Sequence, residues 1–444
     1  MLVVHIAFEC APIYKTGGLG DVVGSLPIAL SKLGVEVAVV IPGYGFIKRK
    51  KYLPGTQIPV FYAESQWFTK PNTRHDPKIQ AVKYAHFAIA SLDELKRRDI
   101  RPDILHCHDW HAGLIPWLLK AQPDAFFART KTILTIHNIA YQGNFPLAFL
   151  KRAETQNIYE LLAKQHKRIS FLKEGIRAAD FISTVSPHHA TEIRRGKVGF
   201  GLSQVVRGKR GKFVGIINGI DYRVWNPRTD RLIRRRFGRT TLTAGKSENK
   251  TFLQKQLGLT VSPEIPLFGF VARLSSQKGI DVLLPLLQNV PKRRIQIVIL
   301  GAGEAKYTQL LKRLQTPEFN KWVSLNFKFD EKLAHQIYAA SDFFLIPSHY
   351  EPCGLTQMIS MAYGAIPVAT DVGGLHDTII SGKTGFLFRK ITSPELLNTV
   401  RQALHVYIET GKLAKFRRLL LRQNFSWDKS AREYVRLYRK VAHL

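Results

Sequence analysis

Two cations and one carboxylate in the second half of the chain lie directly after apolar runs. Arg273 and Lys278 are both in the segment VARLSSQKG, past a predicted strand and before a predicted helix. Two positive charges there would stabilise a pyrophosphate that gains negative charge as it leaves, although an ordinary basic pair beside a helix is the alternative. Glu351, in HYEPCGLTQ, could accept hydrogen bonds from sugar or ribose hydroxyls, or cap the helix that follows.

The segment Lys15–Asp21, KTGGLGD, lies between a short apolar run and an amphipathic one. It predicts a strand, a glycine turn and a helix start, where unpaired backbone amides and the helix dipole favour an anion. Phosphate or sugar binding and an ordinary tight turn remain equal alternatives. The match to a dinucleotide fingerprint is imperfect, because Gly24 comes one residue late and no acidic residue follows the second strand near Val40–Pro42. A nicotinamide-dependent dehydrogenase is therefore disfavoured.

Polar residues also end predicted strands in the first half, in ILHCHDWH and KTILTIHN. Open parallel sheets bind ligands at the carboxyl ends of their strands, so Asp109 and His137 are candidates there, with a buried core histidine as the alternative for His137. His106 and His108 would share one face of a strand and could suggest a metal site. No further ligand pattern accompanies them, and we expect no metal.

Strands, glycine turns and helices alternate through both halves of the chain, which predicts an α/β fold with parallel sheets. The first series begins at residue 2, and a second begins at Pro266. We expect two Rossmann-like domains facing each other across a cleft. The predicted boundaries are 1–221 and 222–427, with a C-terminal helix at about 428–444 joined to the first domain.

The 444 residues include 45% hydrophobic residues and carry a formal net charge of +33. Such a basic surface attracts polyanions in a salt-dependent way, but no nucleic-acid-binding motif accompanies it, and we expect a solvated basic face. Cys10, Cys107 and Cys353 are too far apart in sequence for a C-x-x-C pair, so buried thiols are expected. Neither a membrane-spanning run nor a secretory signal is evident, and a cytoplasmic location is expected.

Several motifs together resemble those of bacterial glycogen synthases and plant starch synthases, and they stand in the same order along nearly the whole chain. The matching segments are Lys15–Asp21, His106–Gly113, Ile136–Gly143, Asn218–Asp221, Arg273–Gly279 and Glu351–Gln357. The resemblance implies the two-domain glycosyltransferase fold called GT-B. It also implies transfer of glucose from ADP-glucose to the non-reducing end of an α-1,4-glucan with retention of configuration, without a metal or other cofactor.

The resemblance assigns roles to residues of both domains. Those implied for the first domain are Lys15, Gly17, Gly18 and Asp21 near the donor phosphates and glucose, His137 and Asp109 on the sugar and acceptor side, and Asn218 in the same cleft. Those implied for the second domain are Arg273 and Lys278 at the departing diphosphate, Glu351 on the donor glucose with Cys353, Gly354 and Leu355 beside it, Thr356 near the distal phosphate, and Phe329 in place of a base-stacking tyrosine.

One departure concerns Ile359, which occupies the position of a second glutamate found in the wider glycosyltransferase class but not in the synthases. The expected partners are ADP-glucose and an α-1,4-glucan, with no specific nucleic acid and no membrane. Two alternatives stay open: another nucleotide-sugar glycosyltransferase, including one that prefers UDP-glucose, and a non-catalytic glucan-binding relative. The oligomeric state is left undetermined.

Overall fold

The computed structural model describes residues 1–69, 76–163, 166–289 and 295–443. The chain divides into two compact units: unit 1 comprises Met1–Gly219 with Ser426–Leu444, and unit 2 comprises Ile220–Phe425. Within the described ranges, no helix is both long enough and apolar enough to cross a membrane.

Unit 1 is built on a parallel seven-stranded sheet with the order β3-β2-β1-β4-β5-β8-β9, and β6 and β7 form a separate antiparallel pair. The strands of unit 1 are β1 Leu2–Ile6, β2 Glu36–Pro42, β3 Val60–Ala63, β4 Ile104–His108, β5 Lys131–Ile136, β6 Asn144–Pro146, β7 Arg168–Ser170, β8 Phe181–Thr184 and β9 Phe213–Gly215. The strands β1 and β4 are neighbours, and His5 lies in register with His106. The central strands are buried on both faces, as expected when helices cover a parallel sheet.

Helices of unit 1 begin where the sequence offers capping residues. Asp76 accepts hydrogen bonds from the first turn of α2, and Ser186 caps α6. The helices are α1 Gly18–Ser31, α2 Pro77–Arg97, α3 Leu114–Ala121, α4 Gln156–Ala163, α5 Phe171–Ala178, α6 Pro187–Arg195 and α7 Ser203–Arg207. Short 3₁₀ helices lie at Gln66–Phe68, Trp110–Ala112, Ala125–Phe127, Leu147–Leu150 and Ala153–Thr155.

Unit 2 has a parallel six-stranded sheet with the order β12-β11-β10-β13-β14-β15. Its strands are β10 Leu267–Val271, β11 Gln296–Leu300, β12 Val323–Asn326, β13 Phe343–Ile346, β14 Ile366–Thr370 and β15 Phe386–Phe388. Its helices are α8 Leu242–Gln256, α9 Ile280–Asn289, α10 Ala305–Lys312, α11 Pro317–Asn320, α12 Glu331–Ala340, α13 Thr356–Ala362, α14 Gly373–Thr378, α15 Ser393–Ile408 and α16 Lys412–Leu420, with a 3₁₀ turn at Ser276–Lys278.

The last helix, α17 Trp427–Ala442, belongs to unit 1 and packs against α1. Its apolar face, which includes Tyr434 and Tyr438, is buried in the same hydrophobic cluster as α1 and β1. Gly219 lies so close to this helix that a Cβ there would be 2.6 Å from the Trp427 nitrogen. Unit 1 is therefore assembled from two separate stretches of the chain.

The two parallel sheets confirm the predicted α/β fold class. The strand in KTILTIHN ends at Ile136, and the polar residues His137 and Asn138 follow it, as predicted. Their amides donate to a side chain and not to the sheet. The first helix begins at Gly18, within the segment Lys15–Asp21 that was predicted to contain the glycine turn and the helix start. All three cysteines are buried and free, as predicted.

Candidate active site

The backbone amides of the glycine turn after β1 donate hydrogen bonds to a carboxylate side chain of the same unit. Glu9, which is 1% exposed, accepts hydrogen bonds from the amides of Thr16, Gly17 and Gly20, the latter two at 3.2 and 2.9 Å. Burial raises the Glu9 pKa, and these hydrogen bonds oppose that rise. The turn does concentrate amides at the start of α1, as predicted, but the anion it holds in this structure is Glu9.

Lys15 and Asp21, from the same motif, form an ion pair at 2.6 Å across the turn. Both side chains remain partly exposed, so the pair adds little to stability. Gly17 and Gly18 are also exposed. Lys15, Asp21 and the two glycines were predicted as site residues from the sequence, but Glu9 was not. The sequence shows Glu9 only as a single acidic residue just past the first predicted strand.

Asp109 follows β4 and holds the loop that follows β5. Its Oδ1 accepts the amides of His137 at 2.7 Å and Asn138 at 3.3 Å. The backbone of Asp109 has φ +56°, an uncommon value for a residue with a side chain and one that tends to occur at functional sites. Burial raises its pKa to about 7, the two amides oppose that rise, and the negative charge of Glu9 adds to it.

We expect Asp109→Asn to stabilise the protein at pH 8 and to leave its stability unchanged near pH 4. An aspartate with a folded pKa of about 7 binds more protons in the folded chain than in the unfolded one between about pH 4 and 7, so stability falls as pH rises through that window. The asparagine side chain does not titrate, so the variant avoids this loss of stability, which amounts to about 2 to 4 kcal/mol. Urea unfolding at both pH values measures it.

Asp93→Asn, on the exposed side of α2, is the matched control, and it should show no such pH-dependent gain. Equal stability of wild type and Asp109→Asn at pH 8 would contradict the expected titration.

Three histidines of unit 1 form a continuous line of hydrogen bonds, which we call the histidine chain. His5 Nδ1 lies 3.0 Å from His108 Nε2, and His108 Nδ1 lies 2.9 Å from His137 Nε2. His5 and His108 are fully buried, whereas His137 is half-buried at the carboxyl end of β5. The histidine chain thus connects the middle of the sheet to a residue at its carboxyl edge.

All three rings are neutral, because burial lowers the pKa of His5 and His137 to about 3 and that of His108 well below its ordinary value. A neutral imidazole has one N–H, so His108 must donate to one neighbour and accept from the other. His5 Nε2 is buried without a hydrogen-bond partner among the described residues. Since an unpaired buried N–H is rarer than an unpaired acceptor, the protons are favoured on the Nδ1 atoms, and His137 offers Nδ1–H as a donor.

His106 joins the same group of rings through separate partners. Its Nδ1 lies 2.7 Å from the Tyr438 hydroxyl of α17, and its Nε2 lies 2.6 Å from Thr135 Oγ1. His5, His106 and His108 offer ligand atoms within 4.8 Å of one another. However, both nitrogens of His106 and His108 already have hydrogen-bond partners, and three neutral, fully buried rings would have to hold a cation without any anionic ligand. The donor set fits a hydrogen-bonded core better than a metal centre.

The central contact of unit 2 joins Lys278 to Glu351. Lys278 Nζ lies 2.6 Å from Glu351 Oε2, and the Ser348 hydroxyl donates to the same oxygen at 3.0 Å. The two residues follow adjacent strands, β10 and β13, so the sheet brings together positions that are 73 residues apart. Glu351 therefore pairs with a lysine and does not cap the helix that follows. Arg273 is exposed just past the end of β10.

A pair of glycines at the start of α14 supports the loop that carries Glu351. The Gly374 amide donates to the Glu351 carbonyl at 3.0 Å. A Cβ on Gly373 would lie 1.9 Å from that carbonyl oxygen, and one on Gly374 would lie 2.1 Å from the Cys353 oxygen. The loop can approach this turn closely only because neither residue has a side chain.

We expect Gly374→Ala to displace the Glu351 loop, to cost about 1 to 3 kcal/mol of stability and to lower the rate of any reaction that uses Glu351 by at least about tenfold. Thermal unfolding and a transfer assay measure the two effects. Gly238→Ala is the control in the same unit, because its Cβ would meet only the Arg228 side chain at an ordinary 3.6 Å. Normal activity of Gly374→Ala would show that the loop tolerates the methyl group.

The remaining predicted residues occupy varied surroundings. Asn218, in unit 1, is buried, and its Oδ1 has no hydrogen-bond partner within the described ranges. In unit 2, Phe329 is 77% exposed between β12 and α12, so the ring predicted to stack on a base is accessible. Cys353 is buried beside Glu351, Gly354 has φ +74°, Leu355 precedes α13, and Thr356 is its first residue.

Two units with parallel sheets, one of them with Arg273, Lys278 and Glu351 just past its strands, are what is expected of a glycosyltransferase of the GT-B type. Two family models match the chain: "Starch synthase catalytic domain" over residues 2–208 and "Glycosyl transferases group 1" over residues 254–418. A glycogen synthase of Geotalea daltonii is 38% identical over 480 residues, and one of Thermosipho melanesiensis is 38% identical over 481 residues. In both cases 99% of each chain is covered.

The catalytic domain of starch synthase IV from Arabidopsis thaliana, solved with ADP and acarbose, aligns with a TM-score of 0.90 at 31% identity and covers 100% of this chain and 99% of its own. A sucrose-phosphate synthase of Thermosynechococcus elongatus aligns over 99% of this chain and 98% of its own with a TM-score of 0.66 at 19% identity, a likeness of fold alone. The chain belongs to the glycogen synthase and starch synthase family and is a glucosyltransferase.

Proposed function

We propose that this protein transfers glucose from ADP-glucose to the non-reducing end of an α-1,4-glucan, with retention at the anomeric carbon. The observation that carries the proposal is the contact between Lys278 and Glu351, which joins a cation suited to a diphosphate and a carboxylate suited to sugar hydroxyls. The related starch synthase IV structure contains ADP and acarbose, a ligand pair that supports a nucleotide donor and a glucan-like acceptor.

Each unit has a separate task in this proposal. Arg273 and Lys278 of unit 2 neutralise the departing diphosphate, Glu351 holds the donor glucose, and Thr356 and Phe329 contact the nucleotide. In unit 1, Lys15 and the glycine turn approach the donor, and His137 and Asp109 contact the sugar and acceptor. The charge on the diphosphate grows as the bond breaks, so the two cations stabilise the transition state more than the ground state.

The chemical step is a front-face substitution at the anomeric carbon. The bond from that carbon to the diphosphate oxygen breaks, a bond to the acceptor hydroxyl oxygen forms, and the hydroxyl proton passes to the leaving phosphate. No protein nucleophile and no metal take part in the proposed step. A trapped glucosyl adduct on Glu351 or Asp109 would overturn it.

The test is incorporation of labelled glucose into a glycogen primer by the purified protein, with ADP-glucose and UDP-glucose as parallel donors and Arg273→Ala as the control. Incorporation from ADP-glucose that is abolished in Arg273→Ala is the expected result. A clear preference for UDP-glucose would assign the protein to the alternative donor class. Glucan binding without incorporation from either donor would identify a non-catalytic relative and refute the proposal.

A further inference from the structure

A basic cavity lies in unit 1, and its lining includes none of the residues assigned to glucosyl transfer. Its volume is about 740 Å³, and five cationic side chains line it. Those side chains are Lys173, Arg177, Lys209, Arg210 and Lys212. We propose that this cavity, which we call the basic cavity, binds a small anion that carries two or more phosphate groups.

Two elements bring the cations together. Lys173 and Arg177 lie four residues apart on α5, so they share one face of that helix. The other three cations come from the turn that connects α7 to β9. The basic cavity is therefore formed by the fold and not by a single run of basic sequence.

The positive charge of the basic cavity is poorly compensated. No aspartate or glutamate is among its lining residues in the described part of the chain. One lining cation, Arg177, pairs with an acidic residue outside the lining, Glu174, at 3.1 Å. A concave site lined by one sign of charge concentrates counter-ions, so this arrangement favours an anion over a neutral sugar.

Lys209, one of the lining residues, gives a second observation. Its half-buried ammonium donates to the Ala179 carbonyl at 2.6 Å, at the end of α5. Burial lowers its pKa to about 8, the positive charges of Lys120 and Lys212 add to that effect, and Asp180 opposes it. A bound anion would offset the unfavourable charge that these surroundings impose.

The helix α17 adds a further positive charge near the turn. Lys440 Nζ lies 3.4 Å from the Gly211 carbonyl, next to Lys212. Lys120 lies on α3, and α5 carries Lys173 and Arg177. The opposing charges are Asp180 and Glu174, the partner of Arg177.

The number of cations and the volume specify the class of ligand. Arg177 is already paired with Glu174, and a single carboxylate would neutralise only one of the other four charges, whereas each phosphate group carries about −1.5 to −2 at neutral pH. Arginine and lysine are the side chains that bind phosphate oxygens most strongly. A volume of about 740 Å³ falls in the range of small-molecule sites, roughly 300 to 1,000 Å³.

Titration calorimetry at about 0.15 M salt tests the proposal with two probes, inorganic tripolyphosphate and a hexose bisphosphate. We expect one anion bound per chain, with affinity at least about tenfold weaker in the double variant Lys209→Gln/Arg210→Gln. The control is Lys48→Gln/Lys50→Gln, which removes the same charge from an exposed segment of the same unit and should change the affinity less than about twofold. Tighter binding of the hexose bisphosphate than of tripolyphosphate would show that the sugar part of the ligand is recognised as well as the phosphates.

Proton uptake provides a sharper readout. Because Lys209 has a pKa of about 8, an anion beside it should raise that pKa, and binding near pH 8 should take up protons. Titrations in buffers of different ionisation enthalpy measure the uptake, which should be lost in the single variant Lys209→Gln and retained in the Lys48→Gln/Lys50→Gln control.

Equal loss of affinity in the two double variants, or several anions bound per chain, would show general attraction to the basic surface and overturn the proposal. The absence of binding by either probe would do the same. Circular dichroism and urea unfolding of each variant establish that the compared proteins are folded. None of these readouts depends on glucosyl transfer, so failure here leaves the proposed enzymatic function untouched.

Discussion

Lys278→Ala is expected to lower kcat for glucosyl transfer by about a hundredfold to a thousandfold. The lysine is the cation that unit 2 places beside Glu351, at 2.6 Å, and its charge matters most when the diphosphate leaves. Because the Glu351 side chain is only 8% exposed, loss of its partner should also cost about 3 kcal/mol of stability. Initial rates at saturating donor and urea unfolding measure the two losses.

A second variant separates the catalytic loss from the structural one. Lys278→Ala/Glu351→Gln removes the unpaired buried charge, so it should regain much of the lost stability while transfer stays low. Lys306→Ala is the control, because its pair with Glu304 at 3.0 Å is exposed, and both stability and rate should stay at wild-type values. Wild-type kcat in Lys278→Ala would remove this lysine from the mechanism.

His108→Leu is expected to lower kcat by about tenfold to a hundredfold, because it removes the donor that orients His137. His137 Nε2 would then have no N–H facing it, and its proton could occupy either nitrogen. Nitrogen-15 NMR of labelled histidines should show Nδ1–H on His137 in the wild type and a mixture of both forms in the variant. His108→Asn, which can still donate from a similar position, should recover part of the rate.

His5→Leu is the matched control for the histidine chain. It leaves His108 Nε2 as an unpaired acceptor, so the direction of donation to His137 should persist and the rate should fall less than in His108→Leu. An unchanged His137 spectrum in His108→Leu would contradict the assigned direction, whatever the effect of that variant on the rate.

Local sequence was enough to predict both sheets, because apolar runs alternate with glycine turns and helical periodicity. It could not show that the amides of His137 and Asn138 donate to Asp109, a residue that follows another strand. The histidine chain could not be predicted from local sequence for the same reason. His5 faces His108 only once β1 and β4 are known to be neighbours, and strand order is a property of the folded sheet.

The site was partly predictable from residue types alone. Lys278 and Glu351 were each ambiguous in sequence, and the adjacency of β10 and β13 brings them into contact. Glu9 was missed because a single acidic residue after a strand has no distinctive spacing. The high net charge had no assigned role in sequence, and the basic cavity is the place where the fold concentrates part of it.

The origin of unit 1 from two stretches of chain has a consequence for folding during synthesis. Unit 2 is continuous, so all of its residues have emerged from the ribosome before Trp427 does. Until then the face of α1 that α17 covers stays open to solvent, and His106 lacks the Tyr438 hydroxyl. The unit that begins first is therefore completed last, and a released chain truncated after Phe425 should contain all of unit 2 but a unit 1 whose α1 lacks its cover.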